Sequence, residues 1–234
     1  MNFKIMQELL SKKGIAIDSS LENKFNTYAS GLIEWNAKMN LTSIKEESEI
    51  FEKHFFDCLL LMESFDFSNK LVADIGSGAG FPGMVIALVN PSAKVTLIDS
   101  TAKKFKFLEF IKKELQIPNV SFHIERVEDM KEYRNYFDVA TSRGFSSLST
   151  TCEVSAPLVK IGGCVISMKS NQGEEELKLA EPHLKSLGLV KEKAILDYLP
   201  SSNSLRFNIF LKKVKETPTK YPRPWATLIS KPLW

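Results

Sequence analysis

The residues best able to do chemistry lie in a glycine-rich turn that follows a short apolar segment. The turn carries Gly76, Gly78 and Gly80 within five positions. Glycines let a strand turn tightly into a helix and let a ligand approach the backbone, and the first amides of that helix would favour an anionic group. Phe81 stands where the dinucleotide pattern G-x-G-x-x-G has its last glycine, which disfavours a nicotinamide dinucleotide. Asp74, just before the turn, offers a carboxylate to a cationic ligand group, directly or through water.

Two further polar segments follow the next two apolar runs. Asp99 ends one of them, and a carboxylate there can accept hydrogen bonds from both ribose hydroxyls of an adenosine. The same residue could instead cap a helix predicted over residues 100–115, and both roles are compatible. In the segment after the third run, the backbone amide of Val127 could bind N1 of an adenine and Glu128 could accept from its N6 amine. These segments together predict a cofactor that contains adenosine.

Three other polar residues could border the same region. Arg143, at the end of the fourth run, is the polar residue best placed to face both cofactor and substrate, although a surface ion pair would also explain it. His54 and Asp57 lie one helical turn apart and could frame a pocket. A pair on the outer surface of a helix explains them equally well, so neither is assigned to the site.

The usual catalytic groups are missing from the sequence. The three histidines, at positions 54, 123 and 183, do not have the spacing of metal ligands, which predicts no metal. The chain has no Gly-x-Ser-x-Gly or Cys-x-x-Cys motif, and it lacks the Asn/Asp-Pro-Pro-aromatic motif used for amine methylation. Cys152 lacks the Pro-Cys context of a cytosine-methylating nucleophile and is predicted to lie in the core. No catalytic residue is therefore assigned, and the chemistry must depend on positioning.

Seven short apolar runs from residue 71 onward predict an α/β fold. They are Leu71–Ile75, Val95–Ile98, Val120–Ile124, Phe137–Ala140, Cys164–Met168, Leu189–Leu196 and Arg206–Leu211. Helical segments separate the first five, which predicts a parallel sheet with helices on both faces. A loop over residues 198–204 joins the last two as an antiparallel C-terminal hairpin. This is the Rossmann-like, seven-stranded sheet of class I methyltransferases, mostly parallel, and not the plan of a dinucleotide dehydrogenase.

The first 66 residues predict a helical extension. One apolar stripe consists of Leu21, Phe25, Tyr28, Leu32, Trp35 and Met39, with a possible capping box at Ser19 and Glu22. Asn40 and Thr42 end this pattern, and a second helix follows through Phe51 and Met62. We therefore expect N-terminal helices over residues 1–66 and a cofactor-binding domain over residues 67–234, packed as one compact unit.

Composition limits the class of protein. The chain has 234 residues, 44% of them hydrophobic, and a net charge of +3, which permits a nucleic-acid partner without requiring one. Its three cysteines are an odd number far apart, which argues against a disulfide framework and fits a reducing compartment. The N-terminus lacks the apolar core of a signal peptide, and no apolar run approaches the length of a membrane span. We expect a cytoplasmic monomer with no membrane partner.

At several motifs the chain resembles the bacterial ribosomal RNA small subunit methyltransferase G family (RsmG, also called GidB). The N-terminal similarities are Trp35-Asn-Ala-Lys-Met-Asn-Leu-Thr42 and His54-Phe-Phe-Asp57. The central ones are the segment 74–83, Leu97-Ile-Asp-Ser100, Arg126-Val-Glu128 and Ser142-Arg-Gly144, and the C-terminal ones are Tyr221-Pro-Arg223 and Lys231-Pro-Leu233. The resemblance covers nearly the whole chain. It departs at residues 224–230, which are bulkier than the glycine-containing stretch expected there.

The resemblance implies a function and a set of contacts. It implies an S-adenosyl-L-methionine-dependent methyltransferase, acting on N7 of one guanine in 16S ribosomal RNA or in a small-subunit particle. It also implies cofactor contacts at Gly76, Phe81, Val127, Glu128 and Arg143. Gly78 and Asp99 join them on the physical argument given above.

RNA binding depends on less specific features of the sequence. Three lysines on one helix flank and six basic residues of the C-terminal tail could neutralise phosphates. They are Lys103, Lys106, Lys113, Lys212, Lys213, Lys215, Lys220, Arg223 and Lys231. Two alternatives stay open: a methyltransferase of a small molecule or a protein, and a non-catalytic adenosine-binding factor in ribosome assembly. Footprinting on RNA tests the first alternative, and an assay of methyl transfer tests the second.

Overall fold

Seven strands form one mixed sheet at the centre of the protein, whose computed structural model describes residues 1–234. The strands are β1 (Leu71–Ile75), β2 (Lys94–Ile98), β3 (Val120–His123), β4 (Phe137–Arg143), β5 (Val159–Lys169), β6 (Leu189–Tyr198) and β7 (Leu205–Lys213). Their order in the sheet is β3-β2-β1-β4-β5-β7-β6. Strands β1 to β5 pair in parallel, and β7 lies antiparallel between β5 and β6. The predicted fold class is confirmed, including the C-terminal hairpin.

Nine α-helices surround the sheet. The N-terminal ones are α1 (Phe3–Lys12), α2 (Glu22–Met39), α3 (Glu47–Ile50) and α4 (Asp57–Leu59), and a π-helical segment (Phe51–Phe56) joins α3 to α4. The others are α5 (Gly83–Val89), α6 (Ala102–Leu115), α7 (Leu148–Ser155), α8 (Gly173–Ala180) and α9 (Trp225–Ser230). None of these helices combines the length and the apolar character needed to cross a bilayer.

Each face of the sheet has its own hydrophobic core. Phe25 and Phe55 of the N-terminal helices pack with Val72 and Leu97 of the sheet in a cluster of 42 buried residues. A second cluster of 24 residues covers the other face under α7 and α8. Strands of a parallel sheet are buried on both faces, which explains their continuous apolar runs. The N-terminal helices therefore share a core with the sheet, while the boundary at residue 66 stays a prediction.

The start of α2 differs from the prediction, whereas its end agrees. The capping box at Ser19 and Glu22 is wrong, because residues 19–21 already form a 3-10 turn. Asp18 caps that turn by accepting a hydrogen bond from the Ser20 amide at 2.8 Å, and Leu21 makes no side-chain cap. Asn40 ends the helix in the left-handed conformation with φ 50°, as its residue type favours.

Strand β4 is longer than predicted, and this places the candidate residue Arg143. The apolar run ends at Ala140, but the pairing with β5 continues from Thr141 to Arg143, where Arg143 lies opposite Met168. Thr141 and Ser142 are buried although they are polar, so apolar character alone underestimates the strand. Arg143 is thus held on a strand and not on a loop.

Candidate functional site

Two adjoining cavities open at the carboxyl ends of the parallel strands, where α/β sheets bind their ligands. The Asp99 cavity, about 280 Å³, is lined among others by Gly76, Asp99, Val127, Glu128 and Trp225. The Arg143 cavity, about 400 Å³, is lined among others by His54, Asp57, Arg143, Lys169 and Arg206. Gly144 and Phe145 line both. Five of the seven predicted residues, namely Gly76, Asp99, Val127, Glu128 and Arg143, therefore line two neighbouring cavities.

The glycine turn is closed by its own hydrogen bonds. The amides of Gly76 and Ser77 donate to the Ile98 carbonyl at 2.9 and 3.1 Å, and the Gly78 amide donates to Asp99 Oδ2 at 3.1 Å. The amides of Gly80 and Phe81 both donate to the Ser77 carbonyl. Most amide donors of the turn are thus used internally, so the predicted attraction of an anion to this turn and the helix after it is not supported. The arrangement fits a ligand without a pyrophosphate.

Asp74 lies buried behind the glycine turn and binds the residue that begins α5. It is fully buried, and its Oδ2 accepts a hydrogen bond from the Gly83 amide at 2.8 Å. Burial raises the pKa of its carboxyl to about 7, while the Gly83 amide and Arg143 oppose this rise. A Cβ on Gly83 would lie 2.7 Å from that Oδ2, so only glycine fits there. Asp74 lines neither cavity, so the structure shows no direct contact between its carboxyl and the space that a ligand would occupy.

Asp99 is wrong as the N-cap of α6, because that helix has Thr101 as its N-cap, and the contact of Asp99 with a ribose stays a prediction. Its Oδ1 accepts from the Thr101 amide at 2.9 Å just ahead of α6, which begins at Ala102 and not at residue 100. Its Oδ2 accepts from Gly78 and from Lys104 Nζ at 3.0 Å. A carboxylate has about four acceptor positions, and three are used here. Lys104, about a third exposed, is the partner that a ribose could displace.

The predicted adenine-binding residues also line the Asp99 cavity. Val127 begins a 3-10 turn, and its amide has no acceptor within the protein. Glu128 is almost buried and has one charged neighbour, Arg126, at 3.7 Å. A free donor and a free acceptor therefore stand side by side, as recognition of an adenine edge requires.

Phe81 lies beneath the site and lines neither cavity. Its ring stacks between Tyr28 at 5.3 Å and His54 at 4.4 Å, with interplanar angles of 11° and 16°. Tyr28 also donates from its hydroxyl to the Ala79 carbonyl at 2.7 Å, which ties α2 to the glycine turn. A cofactor contact by the Phe81 ring is not seen, and a contact through its backbone stays a prediction. Gly78 is partly exposed on the turn, beside Asp99.

Arg143 is bound to residues of the π-helical segment and its end. Its Nη1 donates to the Lys53 carbonyl at 2.8 Å and to Asp57 Oδ2 at 3.3 Å, while Nη2 donates to His54 Nδ1 at 2.7 Å. Arg206 Nε lies 2.9 Å from Asp57 Oδ1 as an ion pair without an aligned hydrogen bond. The wide turn of a π-helix is frequent at functional sites. His54 and Asp57 are thus buried at the site and do not form a helix-surface pair.

His54 is held neutral by these neighbours. Burial and the Arg143 charge lower the pKa of its imidazole to about 2. Because Nδ1 accepts from Arg143, the ring proton is assigned to Nε2, which donates to Thr42 Oγ1 at 3.0 Å. Neither ring nitrogen is free to take a proton from a substrate near neutral pH.

The comparisons agree with this geometry. A family model described as GidB, rRNA small subunit methyltransferase G, matches residues 21–197. The chain belongs to this family. It is 38% identical to the ribosomal RNA small subunit methyltransferase G of Oceanobacillus iheyensis over 218 residues, 92% of each chain. Its identity to the protein of the same name from Staphylococcus aureus strain Newman is 37% over 236 residues, 100% of this chain and 99% of the other.

Solved structures of other methyltransferases share the fold of this RsmG family member. The 16S rRNA (adenine(1408)-N(1))-methyltransferase from Catenulisporales acidiphilia superposes with a TM-score of 0.54 at 12% identity, over 64% of this chain and 90% of that one. M. jannaschii TYW2 in complex with AdoMet gives 0.53 at 12% identity, over 64% and 72%. At these identities the likeness shows the class I methyltransferase fold alone.

Several residues that line the cavities of this RsmG family member were missed by sequence reasoning. Lys169 Nζ donates to the Ser146 carbonyl at 2.6 Å and to Glu176 at 2.9 Å, and it lines the Arg143 cavity together with Arg206. Ser167 lines it too, and its buried Oγ has no hydrogen-bond partner. Phe145 separates the cavities by packing on Gly76, where a Cβ would lie 2.4 Å from its ring. The basic residue types were a possible signal, but their distance along the chain hid them.

Other residue predictions have mixed outcomes. Cys152 is fully buried and burial raises the pKa of its thiol, so its placement in the core is confirmed, and all three cysteines are free. The prediction that the basic tail residues bind phosphates is wrong for two of the six. Lys213 is buried and donates to the Ala156 carbonyl, and Arg223 pairs with the buried Glu153.

A cluster of one histidine and two glutamates could bind a metal ion, although the sequence spacing did not indicate it. His123, Glu125 and Glu132 place ligand atoms within 4.8 Å of one another. His123 Nε2 already bonds the Tyr133 hydroxyl at 3.0 Å, and its Nδ1 lies 3.4 Å from Glu125. This pairing explains the cluster without an ion.

Proposed function

We propose that this protein transfers a methyl group from S-adenosyl-L-methionine to N7 of a guanine in 16S ribosomal RNA. The observation that carries the proposal is the pair of adjoining cavities. One offers hydrogen-bond donors and acceptors that suit an adenosine, and the other is basic and holds no free general base. Membership of the family and the names of its relatives support the same reaction.

The Asp99 cavity fits the cofactor. Asp99 would accept from the ribose hydroxyls, and the free Val127 amide and Glu128 would bind the adenine edge. The backbone of Gly76 and Gly78 would border the methionine part, whose cationic group the buried Asp74 attracts. When bound, the cofactor supplies an electrophilic methyl group on a sulfonium.

The Arg143 cavity suits an acceptor that needs no deprotonation. N7 of guanine already has a lone pair, so the protein has to orient the base and exclude water. Arg143, Lys169 and Arg206 would hold the guanine base and the RNA phosphates next to it. Asp57 is the only carboxylate among the lining residues. The free Ser167 Oγ offers one more hydrogen bond. Because A-form RNA hides N7 in a narrow groove, the target guanine has to lie in an accessible loop or be splayed out of its helix.

The proposal also includes a partner and a state of the protein. The substrate is naked 16S ribosomal RNA or a small-subunit particle, and the protein acts as a monomer without metal or membrane. A ribosomal RNA substrate and three unpaired thiols support action in the cytoplasm.

The test is to map 7-methylguanosine in ribosomal RNA by mass spectrometry. Purified protein is incubated with labelled cofactor and with 16S ribosomal RNA or small-subunit particles from cells that lack the gene. We expect one labelled guanine, and less label at limiting cofactor with the Asp99→Ala variant. Label in protein or metabolites but not in RNA would support the first alternative, and cofactor binding without label would support a non-catalytic factor.

A further inference from the structure

The C-terminal tail contributes a wall to the Asp99 cavity. Trp225, the first residue of α9, lines this cavity and is only partly exposed. Its ring centroid lies 5.9 Å from that of Phe145, and the Arg126 guanidinium lies 5.8 Å from its ring. Both neighbours line the same cavity. The indole is therefore part of a site formed otherwise by residues at least 80 positions earlier in the chain.

We propose that Trp225 is a cofactor-binding residue that stacks on the adenine, and that α9 covers the adenosine part of the site. The proposal rests on the proposed function, since it assumes an adenosine in the Asp99 cavity. Trp225 lies in residues 224–230, where this chain departs from the pattern that its resemblance implied.

The packing of α9 distinguishes Trp225 from a residue that only fills the hydrophobic core. Leu228, one turn later, is fully buried and fixes the helix to the protein. Trp225 packs at the edge of the same cluster but keeps part of its surface open to the cavity. A large aromatic side chain gains from covering that surface with another flat ring. Adenine is the flat ring that the neighbouring Val127 amide and Glu128 are arranged to bind.

The tail is anchored on both sides of Trp225. Arg223 donates from its amide and Nε to Glu153 Oε1 and from Nη2 to Oε2, over 2.7–2.9 Å, and Glu153 is fully buried. Beyond the helix, the Leu233 amide donates to Ser149 Oγ at 3.0 Å. Arg134 further binds the Tyr221 carbonyl at 3.0 Å. Because α9 is anchored at both ends, it loses little conformational freedom when a ligand binds, which favours affinity.

Binding of S-adenosylhomocysteine, the unreactive product, tests the proposal without any turnover. Calorimetry on Trp225→Ala should show roughly tenfold weaker binding, as loss of an aromatic partner from a base typically causes. Trp225→Phe should restore most of the affinity, and Trp225→Leu should not. Trp234→Ala is the matched control: this tryptophan also lies in the tail but stacks on His183 at 5.6 Å, so affinity should be unchanged.

Fluorescence and a truncated ligand locate the effect. Of the three tryptophans, only Trp225 lines the cavity, so the change in tryptophan emission on binding should disappear in Trp225→Phe. 5′-Methylthioadenosine lacks the amino acid of the cofactor. The Trp225→Ala substitution should weaken its binding by the same factor as the binding of S-adenosylhomocysteine. Equal affinity of the wild type, Trp225→Ala and Trp225→Leu would overturn the role of Trp225 and leave the proposed function standing. No binding of S-adenosylhomocysteine to the wild type would overturn the proposed function itself.

Discussion

The Nη2 of Arg143 donates to the Nδ1 of His54 over 2.7 Å, so a residue at the end of β4 fixes the protonation of one in the N-terminal helices. The His54 ring stacks on Phe81 at 4.4 Å, and the Arg143 guanidinium lies 5.0 Å from the same ring. The glycine turn, the π-helical segment and the sheet are thereby locked into one unit. A neutral His54 has consequences for stability and for catalysis.

The first prediction concerns stability below neutral pH. In the unfolded chain a histidine has a pKa near 6.5, whereas the pKa of folded His54 is lowered to about 2. Below pH 6.5 the unfolded state therefore binds a proton at His54 that the folded state does not bind. This difference lowers the free energy of unfolding as the pH falls. At pH 5 the loss is roughly 2 kcal/mol. Asp74, whose raised pKa of about 7 acts in the opposite direction, is present in both proteins, so urea denaturation at pH 5–7.5 should show the loss as the difference between the wild type and His54→Asn.

A second histidine variant serves as the control for this measurement. His183 is exposed, so His183→Asn should follow the wild-type curve. If His54→Asn also runs parallel to the wild type, the imidazole is not held neutral by Arg143.

The fold could be predicted because its signals are local. Alternation of apolar runs with helical segments specifies parallel pairing, and the loop at residues 198–204 without a helix specifies the hairpin. Strand ends were less predictable, as β4 shows, because Ser142 and Arg143 are polar and still pair within the sheet. Residues next to the glycine turn could be predicted for the same reason: their spacing along the chain determines their place on a strand end.

The rest of the site depends on contacts between distant segments. His54 and Asp57 are separated from Arg143 by 89 and 86 positions, so no periodicity links them. Trp225 lies at the Asp99 cavity on a tail that Arg223 anchors by pairing with Glu153, 70 positions away. A single sequence contains the residue types for these contacts but not their pairing.

The second prediction is that Asp99 supports both stability and cofactor binding. Asp99→Ala leaves the amides of Gly78 and Thr101 without an acceptor, which should cost about 1–3 kcal/mol of stability. Loss of charge-assisted bonds to the ribose should also weaken S-adenosylhomocysteine by roughly tenfold or more. Thermal melting and calorimetry on the same protein measure the two effects.

Asp138→Ala is the matched control, because Asp138 also accepts from a strand amide, that of Leu71, and pairs with a lysine, Lys160. It lies at the opposite end of the sheet, so its loss should lower stability and leave affinity unchanged. Wild-type affinity in a folded Asp99→Ala variant would contradict the assignment of the ribose site.

The third prediction separates backbone strain from ligand contact at the glycine turn. Gly78 has φ +57° and Gly14 has φ +77°, and neither has a neighbour that a Cβ would clash with. Valine at either position should cost about 1–2 kcal/mol, since both need the left-handed conformation. Only Gly78→Val adds a branched side chain to the turn whose amide binds Asp99, so only that variant should lose S-adenosylhomocysteine binding in calorimetry. Equal affinities of the two folded variants would remove the turn from the cofactor site.

The last prediction is a methyl-transfer step that does not depend on pH near neutrality. N7 of guanine needs no base, His54 cannot act as one, and Arg143 stays charged throughout, so no group in the Arg143 cavity has to change protonation. The carboxyl of Asp74, with a pKa of about 7, can alter cofactor affinity but not the rate once the cofactor is saturating. Single-turnover rates at saturating cofactor and RNA should therefore be nearly flat from about pH 6.5 to 8.5.

Variants at the Arg143 cavity complete this last test. Arg143→Ala should lower the single-turnover rate by a similar factor at every pH in that range, because the guanidinium acts by position and charge and not by proton transfer. Arg143→Lys keeps the charge but not the bonds to both Asp57 and His54, so it should recover only part of the rate. A wild-type rate that rises tenfold per pH unit, with the rise lost in His54→Asn, would mean that a general base exists. The acceptor would then be an atom that must first lose a proton, which N7 of guanine is not.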